Sequence, residues 1–332
     1  MHSAKPAVLI LATGGTIAGQ AADEVKSSSY ASGVLDVGSL LAAVPGLAAV
    51  AEVRGEQVAG IGSEDMTEEV WFKLATRLNR AARDPGVDGT VVLHGTDTME
   101  ETAYFLNLVV KTEKPLALTG AMRPANAVGA DGPRNIFNAV SLAASRAARG
   151  MGALIVFNDR VFAAREATKL DAMNVDAFGS PGLGPLGCMV DGKAHLYRKS
   201  LRRHTSNSEF DVSGLETLPR VEIIYGHAGQ RPELVEAAVR LGARGIVHAG
   251  VGAANIHVAV KPAIIEARRK GVAVVAASRT GGGTVPARRD ELGELGVVYP
   301  DNLNPQKSRV LLQLALARTS DPEAIQECFA TY

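Results

Sequence analysis

Several common ingredients are missing from this chain. Neither sign of charge predominates, since 35 Lys and Arg stand against 35 Asp and Glu, a net charge of zero. Nucleic acid and an anionic membrane surface both require a clustered positive field, so neither is an expected partner. Long hydrophobic runs are missing too. The longest, such as Ala153 to Phe157 and Val272 to Ala277, fall far short of the roughly 20 residues of a membrane span. The apolar stretch Ala7 to Ala12 is under the ~7–15 residues of a secretory signal core, which predicts a cytoplasmic protein, or a periplasmic one if the chain is already trimmed. Cysteine is nearly absent, with Cys188 and Cys328 alone, and 332 residues supply core enough to do without a disulfide framework.

What is present is a repeated alternation. At roughly 150 residues per domain the length suits two domains. Short runs of Val, Ile and Leu are followed by Gly- or Thr-rich turns and then by amphipathic segments, the mark of a parallel sheet with crossover helices. Ala7 to Ala12, Val91 to His94, Leu116 to Thr119 and Ala153 to Phe157 read as strands. A helix is predicted after Asp65, with Glu68 as its capping partner and Val70, Leu74, Leu78 and Ala81 on one stripe; Trp71 reads as packing. A second starts at Thr98, where Thr98 to Glu101 has the form of a capping box, and a third follows Pro133. Residues 201–219 lack periodicity and read as a linker between a catalytic α/β domain over 1–200 and a smaller α/β domain over 220–332. In the latter, strands at Val221 to Tyr225, Gly245 to His248 and Val272 to Ala276 alternate with helices at Pro232 to Leu241, Ala259 to Arg269 and, finally, Gln306 to Ala317.

Ligands of open parallel sheets bind beyond the carboxyl ends of the strands. Three such ends are small and polar here: Thr13 to Gly19, Gly95 to Thr98 and Gly120 to Pro124. Familiar chemistries are disfavoured by pattern. The glycines of the first segment lack the G-x-G-x-x-G order, no Gly-Lys-Ser/Thr occurs, and neither G-x-S-x-G nor S-x-x-K is present. The histidines, His2, His94, His195, His204, His227, His248 and His257, include no H-x₃-H pair and have no cysteine cluster beside them, so they read as structural. Threonine chemistry remains. A threonine hydroxyl needs a positioned base and a site that holds the oxyanion formed at an attacked carbonyl. Thr16, in a glycine-flanked turn, lets a substrate and backbone N–H groups come close. Thr96 and Asp97, at a helix start, add a second hydroxyl and a carboxylate able to hold an ammonium. Taken singly, each threonine reads as a cap or turn residue; their convergence favours a site.

Six blocks, TGGTIAG (13–19), IGSEDMTEEVW (61–71), HGTDTMEETAYF (94–105), TGAMRP (119–124), DGPRN (131–135) and LNPQKSRVLLQLAL (303–316), resemble the bacterial L-asparaginase family, type II branch, in family order and over nearly the whole chain. The resemblance implies hydrolysis of L-asparagine to L-aspartate and ammonia, no metal or organic cofactor, and a homotetramer built as a dimer of intimate dimers. Position by position it implies Thr16 as nucleophile, and Tyr30 on a mobile lid holding Thr16. Gly15, Ser63 and Glu64 would lie against the substrate, the last two at its α-carboxylate and α-amino group. Thr96 would be the second threonine, Asp97 the ammonium holder, and Lys169 the completion of a Thr96–Lys169–Asp97 relay. Lys169 taken alone reads as a surface lysine, and burial and the Asp97 carboxylate act on its proton in opposite senses. The segment from Gly19 to Gly33, small, polar and bounded by glycines, has a lid's composition in its own right.

The chain departs from the family pattern at Glu64, where many asparaginases carry Gln; in the family, Glu here accompanies appreciable glutaminase activity, so L-glutamine is an expected second substrate. The paired cysteines of one member are absent, with Ala82 and Thr112 near their places. The family completes each site from a neighbouring subunit; Asn255 matches that contribution, and its acidic companion is Asp290 or Glu291. Two other readings compete with it. The related subunit of a tRNA-dependent amidotransferase carries an extra N-terminal domain, whereas the first motif begins here at Thr13, and the neutral charge argues against a tRNA-facing surface. A silent amino-acid-binding protein needs neither nucleophile nor base, which the retained threonines and Lys169 disfavour. The missing signal and disulfide favour the cytoplasm, the type II likeness the periplasm.

Overall fold

Strand β1 (Ala7–Gly14) carries AVLILATG and is buried along almost its whole length. Val8, Ile10 and Ala12 join one apolar cluster, while Leu9 and Leu11, equally buried, turn to the opposite face because strand side chains alternate. A strand covered on both faces has no polar side to show, hence the unbroken apolar run. Around it lie β2 (Glu52–Ile61), β3 (Gly89–Leu93), β4 (Leu116–Thr119), β5 (Ala153–Phe157), β6 (Arg160–Ala163), β7 (Gly187–Val190) and β8 (Lys193–Leu196). They form one sheet in the order β8-β7-β6-β5-β4-β3-β1-β2. The five strands from β5 to β2 are parallel; β6, β7 and β8 extend the sheet antiparallel. Positive φ at Asn158 and Asp159, and at Asp191 and Gly192, makes the tight two-residue turns that such hairpins require.

This is a computed structural model, and it describes residues 5–26, 28–288 and 290–332. Among the residues singled out above, His2 and Ser27 of the expected lid lie outside the described residues. The chain divides into two units, one ending at Ser213 and the next starting at Gly214. Residues 201–213, expected as the first part of a linker, therefore belong with the first unit. Phe210 and Thr205 in this stretch are 1% exposed, a burial that a lone phenylalanine among polar neighbours does not announce.

Helices α1 (Glu68–Arg83), α2 (Met99–Val109) and α3 (Gly132–Ala143) flank the sheet. The predicted stripe of α1 is buried, and Trp71 stacks on Phe105 of α2 at 4.8 Å while its indole N–H donates to Thr102. The expected caps differ. The α1 cap is Thr67, whose hydroxyl accepts from the Val70 N–H, and not the Asp65–Glu68 pair. Thr98 makes no side-chain cap on α2, because its hydroxyl donates to the Ser63 carbonyl. The polar sequence of β2, EVRGEQVAGI, gave no strand signal, since an edge strand is half solvated.

The second unit has a three-stranded parallel sheet, β9 (Val221–Tyr225), β10 (Gly245–Gly250) and β11 (Ala273–Ser278), in sequence order. Helices α4 (Glu233–Arg240) and α5 (Lys261–Arg269) share an apolar cluster with it through Val235, Ala238, Ile264, Ile246 and Val274. Helix α6 (Pro305–Leu316) also packs on this sheet. A further helix, α7 (Pro322–Thr331), was not expected; Asp321 caps it and Ile325 and Phe329 are buried. The fold is thus α/β, with a larger, mostly parallel sheet flanked by helices and a smaller α/β unit after it.

Candidate active site

The order β3-β1-β2 makes β1 a switch point: the chain leaves it to one side for β2 and returns on the other side as β3. At such a point the loops after neighbouring strands part and leave a crevice. Thr16 follows β1 and Thr96 follows β3, so the two threonines leave adjacent strand ends.

Glycines let these loops touch. Gly14 and Gly15 have φ of +103° and +81°, and a Cβ on Gly15 would lie 2.3 Å from the Gly95 Cα. A Cβ on Gly95 would lie 2.6 Å from the Ser63 hydroxyl. Gly15 and Gly95 therefore meet backbone against backbone, and the Ser63 side chain packs directly on the Gly95 backbone, approaches that any side chain on these glycines would block. The Gly15 N–H donates to the Ile61 carbonyl at 2.7 Å and ties the first segment to the second.

Thr16 starts a one-turn 3₁₀ helix and is buried. Its Oγ1 lies 2.6 Å from the Tyr30 hydroxyl. Tyr30 sits on a short ribbon in which Tyr30–Ala31 pairs antiparallel with Gln20–Ala21, within the expected lid. The base of that segment is fixed by Asn126: Ala21 N–H donates to its Oδ1 at 2.9 Å, and its Nδ2 donates to the Ala21 carbonyl at 2.8 Å. Asn126 lies just past the TGAMRP block, and nothing in the sequence singles it out.

Ser63 is buried, its hydroxyl accepting from the Asp97 N–H at 3.1 Å and its carbonyl accepting from the Thr98 hydroxyl at 2.8 Å. Glu64 is exposed, and its carboxylate folds over Gly62, where a Cβ would come within 2.4 Å of Oε1. Lys169 Nζ donates to Thr96 Oγ1 at 2.9 Å and to Asp97 Oδ1 at 2.6 Å. Lys169 is thus no surface lysine: its side chain is 16% exposed, against 58% for Asp97. Other threonines have structural work, Thr13 donating to the Leu93 carbonyl and Thr119 to that of Val156. His94, at the end of β3, is fully buried with Nδ1 2.6 Å from the Gly95 carbonyl oxygen, and burial pushes its imidazole down to about 4. His248 is likewise pushed down to about 4 by burial and has Nε2 3.1 Å from Gln230 Oε1.

The remaining expected residues lie in the second unit. Asn255 accepts from Arg288 Nη2 at 3.2 Å, and that guanidinium sits over the Tyr299 ring. Burial and the Asp290 carboxylate push the Tyr299 phenol up to about 12. Asp290 caps the short helix Glu291–Glu294 through the Gly293 N–H, and Glu291 is exposed. Among the described residues no group of three or more His, Cys, Asp or Glu could hold a metal ion, and no helix is long and apolar enough to cross a membrane.

Two family models cover the chain, "Asparaginase, N-terminal" over residues 7–202 and "Glutaminase/Asparaginase C-terminal domain" over 220–329. "L-asparaginase 2" of Escherichia coli (strain K12) is 47% identical over 331 residues, 99% of this chain and 94% of that protein. "Glutaminase-asparaginase" of Pseudomonas fluorescens biotype A is 43% identical over 327 residues, covering 98% and 90%. The crystal structure of a probable cytoplasmic L-asparaginase from Campylobacter jejuni superposes with a TM-score of 0.96 at 45% identity, covering 99% of this chain and 100% of that one. Fold and relatives together define an amidohydrolase built on two α/β units. The chain belongs to the asparaginase family.

Proposed function

We propose that the chain hydrolyses the side-chain amide of L-asparagine to L-aspartate and ammonia through an acyl-enzyme on Thr16, with side activity on L-glutamine. The observation that carries this reading is the Lys169 ammonium held between Thr96 and Asp97, on the strand end next to that of Thr16. Because Nζ donates to Thr96 Oγ1, the Thr96 hydroxyl proton is left to be given away. As Thr16 Oγ1 attacks the amide carbonyl carbon, its hydroxyl proton passes through the Tyr30 hydroxyl to solvent; the C–N bond breaks as the nitrogen takes a proton from Thr96, Lys169 replenishes Thr96, and solvent on the exposed Asp97 side returns a proton to Lys169. Water then attacks the ester, releasing the carboxylate and returning a proton to Thr16. Tyr30 holds Thr16 before attack. Asp97, which also faces solvent, is free on that side for the substrate ammonium, with Ser63, Gly15 and Glu64 around it. The extra charge of Glu64 and the name of the Pseudomonas relative support glutamine as second substrate.

The family's tetramer is our proposal for the assembly, with Asn255 completing the neighbouring subunit's site. Asp290 is engaged as a helix cap, which favours Glu291 as the acidic companion. We place the chain in the cytoplasm, like the protein that the Campylobacter jejuni structure is called. The test is ammonia release from L-asparagine, L-glutamine and D-asparagine, with Thr16→Ala beside the wild type. Release from L-asparagine, less from L-glutamine and none from the variant is the expected result. Stoichiometric binding of L-asparagine without release would leave an amino-acid-binding protein instead.

A further inference from the structure

Beside the Lys169 relay lies a second tie between the same two segments of chain. Glu100, in the first turn of α2, is 4% exposed, and its Oε1 accepts from the Thr168 hydroxyl at 2.9 Å. Thr168 immediately precedes Lys169, and the pair forms a two-residue strand opposite Phe178–Gly179. Phe178 packs in turn on Phe157 of β5 at 4.9 Å between ring centroids.

The five residues from Thr96 to Glu100, the Glu100–Thr168 bond, and the Lys169 bonds back to Thr96 and Asp97 close a small ring. Successive side chains of a strand face opposite ways. Holding Thr168 on one side therefore fixes the rotation of the strand about its axis, and so the direction in which Lys169 leaves on the other. Lysine has a flexible four-carbon stem, and its head must meet two oxygens at once, so a fixed root removes freedom that would otherwise misplace Nζ. A carboxylate in the first turn is favoured by the helix dipole, which steadies the acceptor.

We infer that Glu100 and Thr168 are positioning residues that aim Lys169 at Thr96, a role that rests on the relay proposed above. The test compares Thr168→Val, which keeps the shape and loses the hydroxyl, with Thr168→Ser, which keeps the hydroxyl, and with Lys169→Met. Misplacement of a catalytic group by about 1 Å can cost up to roughly a hundredfold, so Thr168→Val should lower kcat for L-asparagine by about 10–100-fold. KM should change by less than about twofold, since the altered contact bears on turnover and not on ground-state binding. Thr168→Ser should restore most of kcat. A merely structural role would lower the thermal midpoint and leave kcat of the folded enzyme unchanged. If Thr168→Val folds poorly, Thr168→Ala takes its place with the same expectation.

Wild-type kcat in Thr168→Val beside an inactive Lys169→Met would overturn the positioning role and leave the relay standing. Equal losses in Thr168→Val and Thr168→Ser would overturn it as well. A fully active Lys169→Met would instead remove the relay and the positioning role with it.

Discussion

Thr16 has what a weak nucleophile needs: burial, a hydroxyl partner at 2.6 Å and a glycine turn on its approach side. Thr16→Ala and Thr96→Ala should each lower turnover by about 10³ or more with the fold intact, read as ammonia release beside circular dichroism. If Glu64 lies by the substrate ammonium as proposed, Glu64→Gln removes a charge there, and the ratio of glutamine to asparagine turnover, read as ammonia release, should fall. His94 and His248 make a prediction of another kind. Burial lowers both from 6.5 to about 4. Above pH 6.5 folded and unfolded chains alike hold neutral rings. As pH falls from about 6.5 towards 4 the unfolded chain takes up protons and the folded chain does not, so stability declines across that window, by on the order of 3 kcal/mol per ring at its lower end. Urea midpoints at pH 7 and pH 4.5 check this; equal midpoints would contradict it.

Elements rather than single residues give the site its shape. Three strand ends meet because glycines remove the side chains that would hold them apart. Gly15→Ala would place its Cβ 2.3 Å from the Gly95 Cα at a φ of +81°, and should destabilise by more than about 2 kcal/mol, seen as a lowered thermal midpoint with loss of activity. The proposed lid is an element of a different sort, a short ribbon fixed at its base by the Asn126 amide acting as donor and acceptor towards Ala21. Asn126→Ala removes two hydrogen bonds worth roughly 0.5–1.5 kcal/mol each, so kcat/KM for L-asparagine should fall roughly 5–150-fold, with kcat and KM changing together. An unchanged kcat/KM would show that the lid does not lean on this clamp.

For the whole molecule the question is what one chain does alone. If Asn255 completes the site of a neighbour, Thr16→Ala and Asn255→Ala chains are inactive for reasons that lie in different subunits. Refolded together, they form mixed pairs in which one site holds an intact Thr16 from one chain and an intact Asn255 from the other. Part of the activity should return in the mixture, and none in either variant refolded alone; a mixture that stays inactive would argue that each chain supplies its own site entire.

Burial and local backbone demands can be read along the chain alone. Strands β1, β3, β4 and β5 were legible because a strand covered on both faces must be apolar throughout, and the glycine turns were legible because only glycine takes their backbone. The family resemblance carried Thr16, Thr96, Asp97 and Lys169 into one proposed site, whereas spacing alone left Lys169 a surface residue. Tertiary structure decided the rest. The edge strand β2 reads as polar because water covers half of it. Helix α7, the burial of Phe210, the Asn126 clamp and the Glu100–Thr168 tie all depend on contacts between residues far apart in the chain, 105 positions for Ala21 and Asn126 and 68 for Glu100 and Thr168. Thr98 shows the difference in one residue. Its sequence neighbours ask for a helix cap, but the fold brings the Ser63 carbonyl within 2.8 Å, and a hydroxyl proton engaged there ties two site loops together.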